Sequence, residues 1–376
     1  MAGTLNLTFG VELEFILSYF EEPFPQRIID GIKQGRISEE DIINLRRQEN
    51  GAQRARLVPV LRSAGLAVND YGEPDHQNSP AYKKWTVEGD GSVQPEPSMY
   101  ETMNPQWANG SRTLLTPEMR AALRYVDVEI VSPVLTYGNA AFLEVGTAVR
   151  AIVSRFPVYV NESTGLHVHV GNQSFGFPLS ILKNVAMLVS CFENQFNQLH
   201  PAHRLTNDYC ALPRWAFEPN ERNPQKIAEI IGEIETISRF QWWFCAERSF
   251  RGVHNNWRAY NFGNAVTTTS KKKTIEFRQH RGSLDAQEVQ RWILVTCNIV
   301  KIAHDANEGA ILQMVRRYSN RTNLTILDLL RAFGLQNVAM LYEGHVYQHD
   351  PKMRLKDAFP SEEESDEGIQ DVTDLF

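Results

Sequence analysis

Cysteine is scarce in this 376-residue chain, and the four present, Cys191, Cys210, Cys245 and Cys297, stand far apart. That spacing excludes a CxxC redox motif and a zinc knuckle, and it fits a reducing compartment. No apolar run approaches membrane-spanning length, and no basic segment backed by an apolar run precedes the first strand. Neither a membrane span nor a leader is therefore expected, and cytoplasmic residence is. A broad basic surface is also missing. The formal net charge is −7, and Glu362, Glu363, Glu364, Asp366, Glu367, Asp371 and Asp374, after Pro360, account for the whole excess. The rest of the chain is near neutral, which excludes an extended nucleic-acid surface. Residues 360–376, acidic and poor in apolar side chains, are expected to form a disordered, solvated tail. What is present, 42% hydrophobic and 22% charged residues, fits an ordinary globular body of one large domain or two intimate ones.

The strands of that body repeat one pattern. In Phe9-Gly10-Val11-Glu12-Leu13-Glu14-Phe15, alternation puts Val11, Leu13 and Phe15 on one face and Glu12 and Glu14 on the other. Trp85 and Val87 oppose Thr86 and Glu88 in the same way, before a tight turn at Asp90-Gly91-Ser92. Val126, Val128 and Ile130 oppose Asp127 and Glu129, and Pro133 ends that strand. His167 and His169 share the polar face of 163–171, a strand with a glycine at each end. Tyr260 and Phe262 face inward around Asn261, and in 274–283 Glu276, Arg278 and His280 oppose Ile275 and Phe277. Lys271, Lys272 and Lys273, just before, read as an exposed hairpin loop, with nucleotide contact as the minority reading.

Helices alternate with these strands. Ser38 starts one and Gly65 stops it within a mainly helical stretch over about 25–65, and Thr116-Pro117-Glu118 opens a short one. Residues 139–154 carry Phe142, Val145, Val149 and Ile152 at helical spacing, and 179–199 carry Leu182, Val185, Val189, Phe192 and Phe196. Asp285 and Glu288 form a capping box for a helix that buries Val289, Ile293, Thr296 and Val300, and 322–335 supplies another helix. About six strands therefore share an apolar face covered by helices, an α+β arrangement.

On the opposite face collect Glu12, Glu14, Glu88, Glu129, His167, His169, Asn261, Glu276 and Arg278. For the first strand alone, a solvated sheet face is the simpler account. A solvated face built from six strands should be mixed in Thr, Ser, Lys and Gln, whereas this one concentrates carboxylates, imidazoles and a guanidinium. Such a set suits hard divalent cations with a phosphate bridging them. Metal and phosphate recur together where a phosphoryl group is transferred.

Phe9 to Phe15, Ser163 to Gly171 and Thr274 to Arg278 resemble the metal-binding strands of the glutamine synthetase-like superfamily. Its amidoligase branch, ATP-dependent carboxylate–amine ligases, is the closer likeness. The residues that carry it are Asp90-Gly91-Ser92, Glu129-Ile130-Val131-Ser132-Pro133, His200-Pro201 with Arg204 and Asn207, and Tyr260-Asn261 before Glu276 to Asp285. Each match is short; their order over residues 9–285 is the specific part. The resemblance implies a curved antiparallel sheet with helices on its outer face and an open concave active-site face. It implies one catalytic domain over 1–359, with the insertion at about 25–65 and a substrate-loop region at about 200–255. Glu12, His167 and Glu276 would hold one Mg²⁺ and Glu14 and Glu129 another, with Mn²⁺ as a substitute. Glu88 and Glu144 are candidates for a third carboxylate at the second ion. His169, Arg278, Arg281 and Ser283 would contact ATP phosphates, with His169 and Arg278 acting on the transferring group. Arg204, Asn207 and Asn261 would bind substrate, and Asp90 would orient or deprotonate the amine. The implied partners are small-molecule or peptide acids and amines, with no nucleic acid and no membrane. The acidic turn of glutamine synthetases precedes the paired-glutamate strand; here Asp90 follows it, so glutamine synthesis from ammonia and a ring assembly are not implied. The residues themselves leave open a phosphotransferase of the same sheet, a Zn- or Fe-dependent hydrolase or oxygenase using His167 and His169, and an inactive binding module.

Overall fold

The computed structural model describes residues 5–21, 30, 34, 36–72, 82–94, 123–217, 223–245, 258–307, 309–319, 321 and 323–349. The expected helix at Thr116 and the acidic tail lie outside the described residues.

Everything is hung on β1, Thr8–Phe20, a thirteen-residue strand. Its neighbours are β2 (Thr86–Glu88), β3 (Leu123–Val131), β4 (Leu135–Thr136), β5 (Val158–Tyr159), β6 (Gly165–Gly171), β7 (Tyr260–Asn261) and β8 (Ile275–Arg281). These eight strands form one open sheet in the order β2-β3-β1-β6-β8-β7, with β4 and β5 also pairing with β1. Every strand pair is antiparallel. The sheet thus has the expected class, with two short strands, β4 and β5, that alternation alone does not reveal. Pro133 ends β3 because it has no N–H for the ladder. The Ser132 hydroxyl bridges the gap, accepting from Val11 N at 2.8 Å and donating to Pro133 O at 2.9 Å.

The apolar face carries Val11, Leu13, Phe15, Val128, Val168 and Phe277 into one large core with the helices. Those helices are α1 (Glu39–Ala55), α2 (Leu57–Ser63), α3 (Asn139–Arg155), α4 (Leu179–Cys191), α5 (Pro224–Gly232), α6 (Ile237–Phe244), α7 (Ala286–Asp305), α8 (Ala310–Tyr318), α9 (Ile326–Ala332) and α10 (Gln336–Tyr342). None described is long and apolar enough to cross a membrane. Ser38 forms a true capping box with Asp41. Asp285 caps α7 through Gln287 N and Glu288 N, but Glu288 does not return the bond: its carboxylate is taken by Arg281 and Ser283. The helix expected over 179–199 ends at Cys191 and resumes as the turns Glu193–Phe196 and Asn197–Leu199. The strand expected around Arg258–Gly263 is only Tyr260–Asn261, because the Asn261 side chain accepts from Gly263 N at 2.8 Å and starts a helical turn.

One departure re-aims side chains. Register runs Leu166↔His280 and then Val168↔Phe277, a β-bulge that sets two residues of β8 against His167. Alternation therefore fails after Arg278: Gln279 and His280 are both buried on the helical side, where Gln279 bonds Tyr260 and Asn197 and His280 packs on Trp292. His280, expected beside Glu276 and Arg278, belongs to the core. At the end of the bulged strand, Gly282 N donates to Thr164 O at 2.8 Å. A Cβ on Gly282 would lie 2.7 Å from Thr164 Cβ and 3.1 Å from Glu14 O. Gly282→Ala is expected to lower stability by about 1–3 kcal/mol, the cost of overpacking. Chemical denaturation would read this, and an unchanged midpoint would refute the close approach.

Candidate active site

Strand pairing assembles the polar face from residues remote in sequence. Glu88 lies opposite Glu129 and Glu129 opposite Glu14, forming one row across β2, β3 and β1. Glu12 lies opposite His167, while His169 lies opposite Glu276 and Glu276 opposite Asn261. Glu12, Glu14, His167, His169 and Glu276 are all buried, the most exposed at 8%. A solvated sheet face is thereby excluded for this region.

Glu12 is the hub. Its Oε2 is 3.1 Å from His167 Nδ1, and its Oε1 is 2.8 Å from His169 Nε2 and 3.3 Å from Lys272 Nζ. Burial pushes its carboxyl up, but His169, His167 and Lys272 outweigh that and hold it well below the usual range. Glu276 is likewise lowered, burial being overcome mainly by His169 and Arg278. Arg278 NH1 donates to Glu276 Oε1 at 2.5 Å, and Asn261 Nδ2 to Glu276 Oε2 at 2.9 Å.

The other end of the face is short of positive charge. Burial raises Glu14, with Asp90 adding to the effect. Burial and then the charges of Glu12, Glu14, Asp90 and Glu88 push Glu129 well above the ordinary carboxylate value. Gly165 N donates to Glu14 Oε2 at 2.6 Å, whereas Glu14 Oε1 is buried without a hydrogen bond, although His167 Nε2 lies 3.3 Å away. Asp127, on the same face, is neutralised by Arg54 from α1 at 2.6 Å. The Asp90 turn is docked rather than free: Val93 packs on Ile16 and Tyr159, and Gln94 N donates to Ser163 Oγ at 2.8 Å.

Among the described residues, potential ligand atoms fall within 4.8 Å of one another in three groups, Glu12–His169–Glu276, Glu12–Glu129–His167 and Glu14–Asp90–Glu129. The buried Glu14 oxygen and the crowding around Glu129 suit an oxygen-seeking divalent cation, which would relieve both. Asp90 stands where sequence reasoning looked for a third carboxylate. Of the two candidates for that place, Glu88 faces Glu129 across the β2–β3 pair. Glu144 instead accepts from Trp85 Nε1 at 2.9 Å on the helical side. His167 is within 3.9 Å of Glu276 Oε1, so Glu12, His167 and Glu276 are brought together as well.

The remaining expected residues are placed differently. Arg204 is buried and donates to the carbonyls of Arg278 at 2.8 Å and Gln279 at 3.2 Å, clamping the bulge. The Asn207 side chain accepts from Tyr209 N and caps a short 3₁₀ turn. Arg281 and Ser283 turn to Glu288, at 3.0 Å and 2.7 Å. Lys272, read from sequence as part of an exposed loop, reaches Glu12 instead. The only signal for it was its place in a lysine run directly before the Glu276 strand. It also lines a largely apolar cavity of about 490 Å³, with Glu12, His169, Tyr82, Pro133 and Val134.

A family model described as "putative amidoligase enzyme" matches residues 5–300. No curated protein and no solved structure matches the chain.

Proposed function

The chain belongs to the amidoligase family, and from that premise we propose that it is an ATP-dependent ligase joining a carboxylate to an amine. The observation that carries the reading is the face of grouped carboxylates and imidazoles opening, at Glu12 and His169, onto a largely apolar cavity with room for a nucleotide base. The adenine would occupy that cavity, leaving the phosphate chain to run over the carboxylates. Mg²⁺, held by Glu12, His167 and Glu276 and by Glu14, Glu129 and Asp90, would neutralise phosphate charge that this acidic face would otherwise repel. Mn²⁺ would serve as well.

An unactivated carboxylate is a poor electrophile. In the proposed reaction its oxygen attacks the γ-phosphorus of ATP, the bond to the bridging oxygen breaks, and ADP leaves an acyl phosphate. The amine then attacks the acyl carbon, sheds a proton, and displaces inorganic phosphate to give an amide or isopeptide bond. Arg278 and His169 would meet charge on the transferring phosphoryl oxygens. Asn261 and Arg204 act through others: Asn261 orients Glu276, and Arg204 fixes the bulge that aims Arg278. Asp90, placed with Glu14 and Glu129 as a ligand of the second ion, would not serve as the amine's base, and that proton would pass to solvent. The substrates would be small metabolites, amino acids or peptides.

The reading is tested by incubating the chain with ATP, Mg²⁺ and paired acids and amines, following phosphate release and product mass. Phosphate release that needs both substrates, with a product lighter than their sum by one water, is expected. ADP formation independent of amine, with phosphate left on the acceptor, would favour a phosphotransferase. Tightly held Zn or Fe would favour a hydrolase or oxygenase built on His167 and His169.

A further inference from the structure

Lys272 occupies the junction between the cavity and the carboxylates. Its ammonium lies 3.3 Å from Glu12 Oε1 and 5.2 Å from the centre of the Tyr82 ring. The loop that carries it is folded on itself: Lys273 takes the left-handed backbone region at φ +51°, and its Nζ donates to the carbonyls of Thr267 and Thr268. Lys272 alone of the three lysines has its cation against the cluster.

The two donors on Glu12 Oε1 are not equivalent. His169 is held from its other side by Thr274, at 3.2 Å from Nδ1, in a strand buried throughout. Lys272 rides on a flexible four-carbon stem whose side chain is 28% exposed. A carboxylate oxygen has two lone-pair positions, and both are used here. A divalent cation binding Glu12 through this oxygen must therefore dislodge one donor, and like charge repels the lysine.

We propose that Lys272 is an exchangeable counterion of Glu12: it holds the carboxylate while no divalent cation is bound there, and when one binds, its ammonium moves off Glu12 onto the nucleotide's phosphates where they pass from the cavity to the carboxylates. Metal and nucleotide are coupled as a result. The metal frees the lysine, and the lysine then adds to nucleotide affinity, with the reciprocity that linkage requires. The nucleotide half of this statement rests on the ligase reading; the counterion half rests on the cluster alone.

The test is titration of the full chain and of Lys272→Met with Mn²⁺, followed by paramagnetic resonance without nucleotide, then with ADP by calorimetry at saturating Mn²⁺. Far-UV circular dichroism verifies that both chains are folded. Lys272→Met is expected to bind Mn²⁺ about tenfold more tightly than wild type and, with Mn²⁺ present, ADP about tenfold more weakly. Unchanged or weaker Mn²⁺ binding in the variant, or no Mn²⁺ binding by either chain, would overturn the exchange. Tighter Mn²⁺ binding in a chain whose wild type takes no nucleotide would uphold the counterion role, overturn the swing onto phosphate, and count against the ligase reading separately.

Discussion

Replacing Glu12 with alanine is expected to lower ATP consumption by at least about 10³-fold, the scale of losing several kcal/mol of charge stabilisation at the transferring group. Glu12 belongs to two of the three ligand groups and also partners His167, His169 and Lys272. Its removal takes a carboxylate from both of those groups at once. Glu276→Ala should give a comparable loss by another route, since Arg278 and Asn261 lose the carboxylate that aims them. Neither change opens the apolar core, so circular dichroism and thermal melting should show both variants folded. Wild-type-like turnover in both would end the reading of this face as a catalytic centre. Each single variant is more informative than a Glu12/Glu14 double, because Glu14 contributes to a different group.

The second large effect is on stability in acid. His200 and His280 are buried about Trp292, with ring centroids 4.9 Å and 5.3 Å from it. Burial lowers His280 to about 4, outweighing Glu288 and the bond to Arg281 O, and burial also takes His200 well below its usual value. In the unfolded chain both titrate near 6.5. The folded state thus binds fewer protons, so the stability these groups contribute is fully present above about pH 6.5 and lost as pH falls toward about 4. For His280 alone, the drop between about pH 7 and about pH 4.5 should be about 2–3 kcal/mol. Urea unfolding at those two pH values, on the wild type and on His280→Phe, measures it: the variant should lose less stability on acidification by about that amount. Equal losses would mean that His280 is not held neutral.

Much of this architecture was legible because alternation and helical spacing record burial directly. Glu12, Glu14, Glu129, His167, His169 and Glu276 were all picked out by a two-residue period above an apolar face, and the register brings them together. The failures share a cause, namely that local geometry overrides the period. A single extra residue in β8 sends His280 into the core, and nothing in its composition announces a bulge. Arg281, Ser283 and Glu288 form their own network, so residues that read as phosphate contacts are engaged within the chain. The side chain of Lys272 is directed by a loop whose fold depends on Lys273, and Asp90 approaches Glu14 through a turn docked on Ile16. Long-range placement of that kind leaves no periodic trace.

The same register dictates when the centre can exist during synthesis. Lys272 and Glu12 are 260 residues apart in sequence, and Glu276 enters through a strand that pairs directly with β6. A chain still short of β8 has Glu12, Glu129 and His167 but neither Glu276 nor Arg278. Its β6, seven residues long and buried in the finished fold, would meanwhile be an unpaired edge open to other chains. Contacts so distant in sequence form slowly. Arrival of β8 therefore closes the most adhesive edge of the nascent sheet and completes the buried carboxylate–histidine cluster in one event, so that a chain in which Glu276 has joined Glu12 has already passed its most aggregation-prone stage.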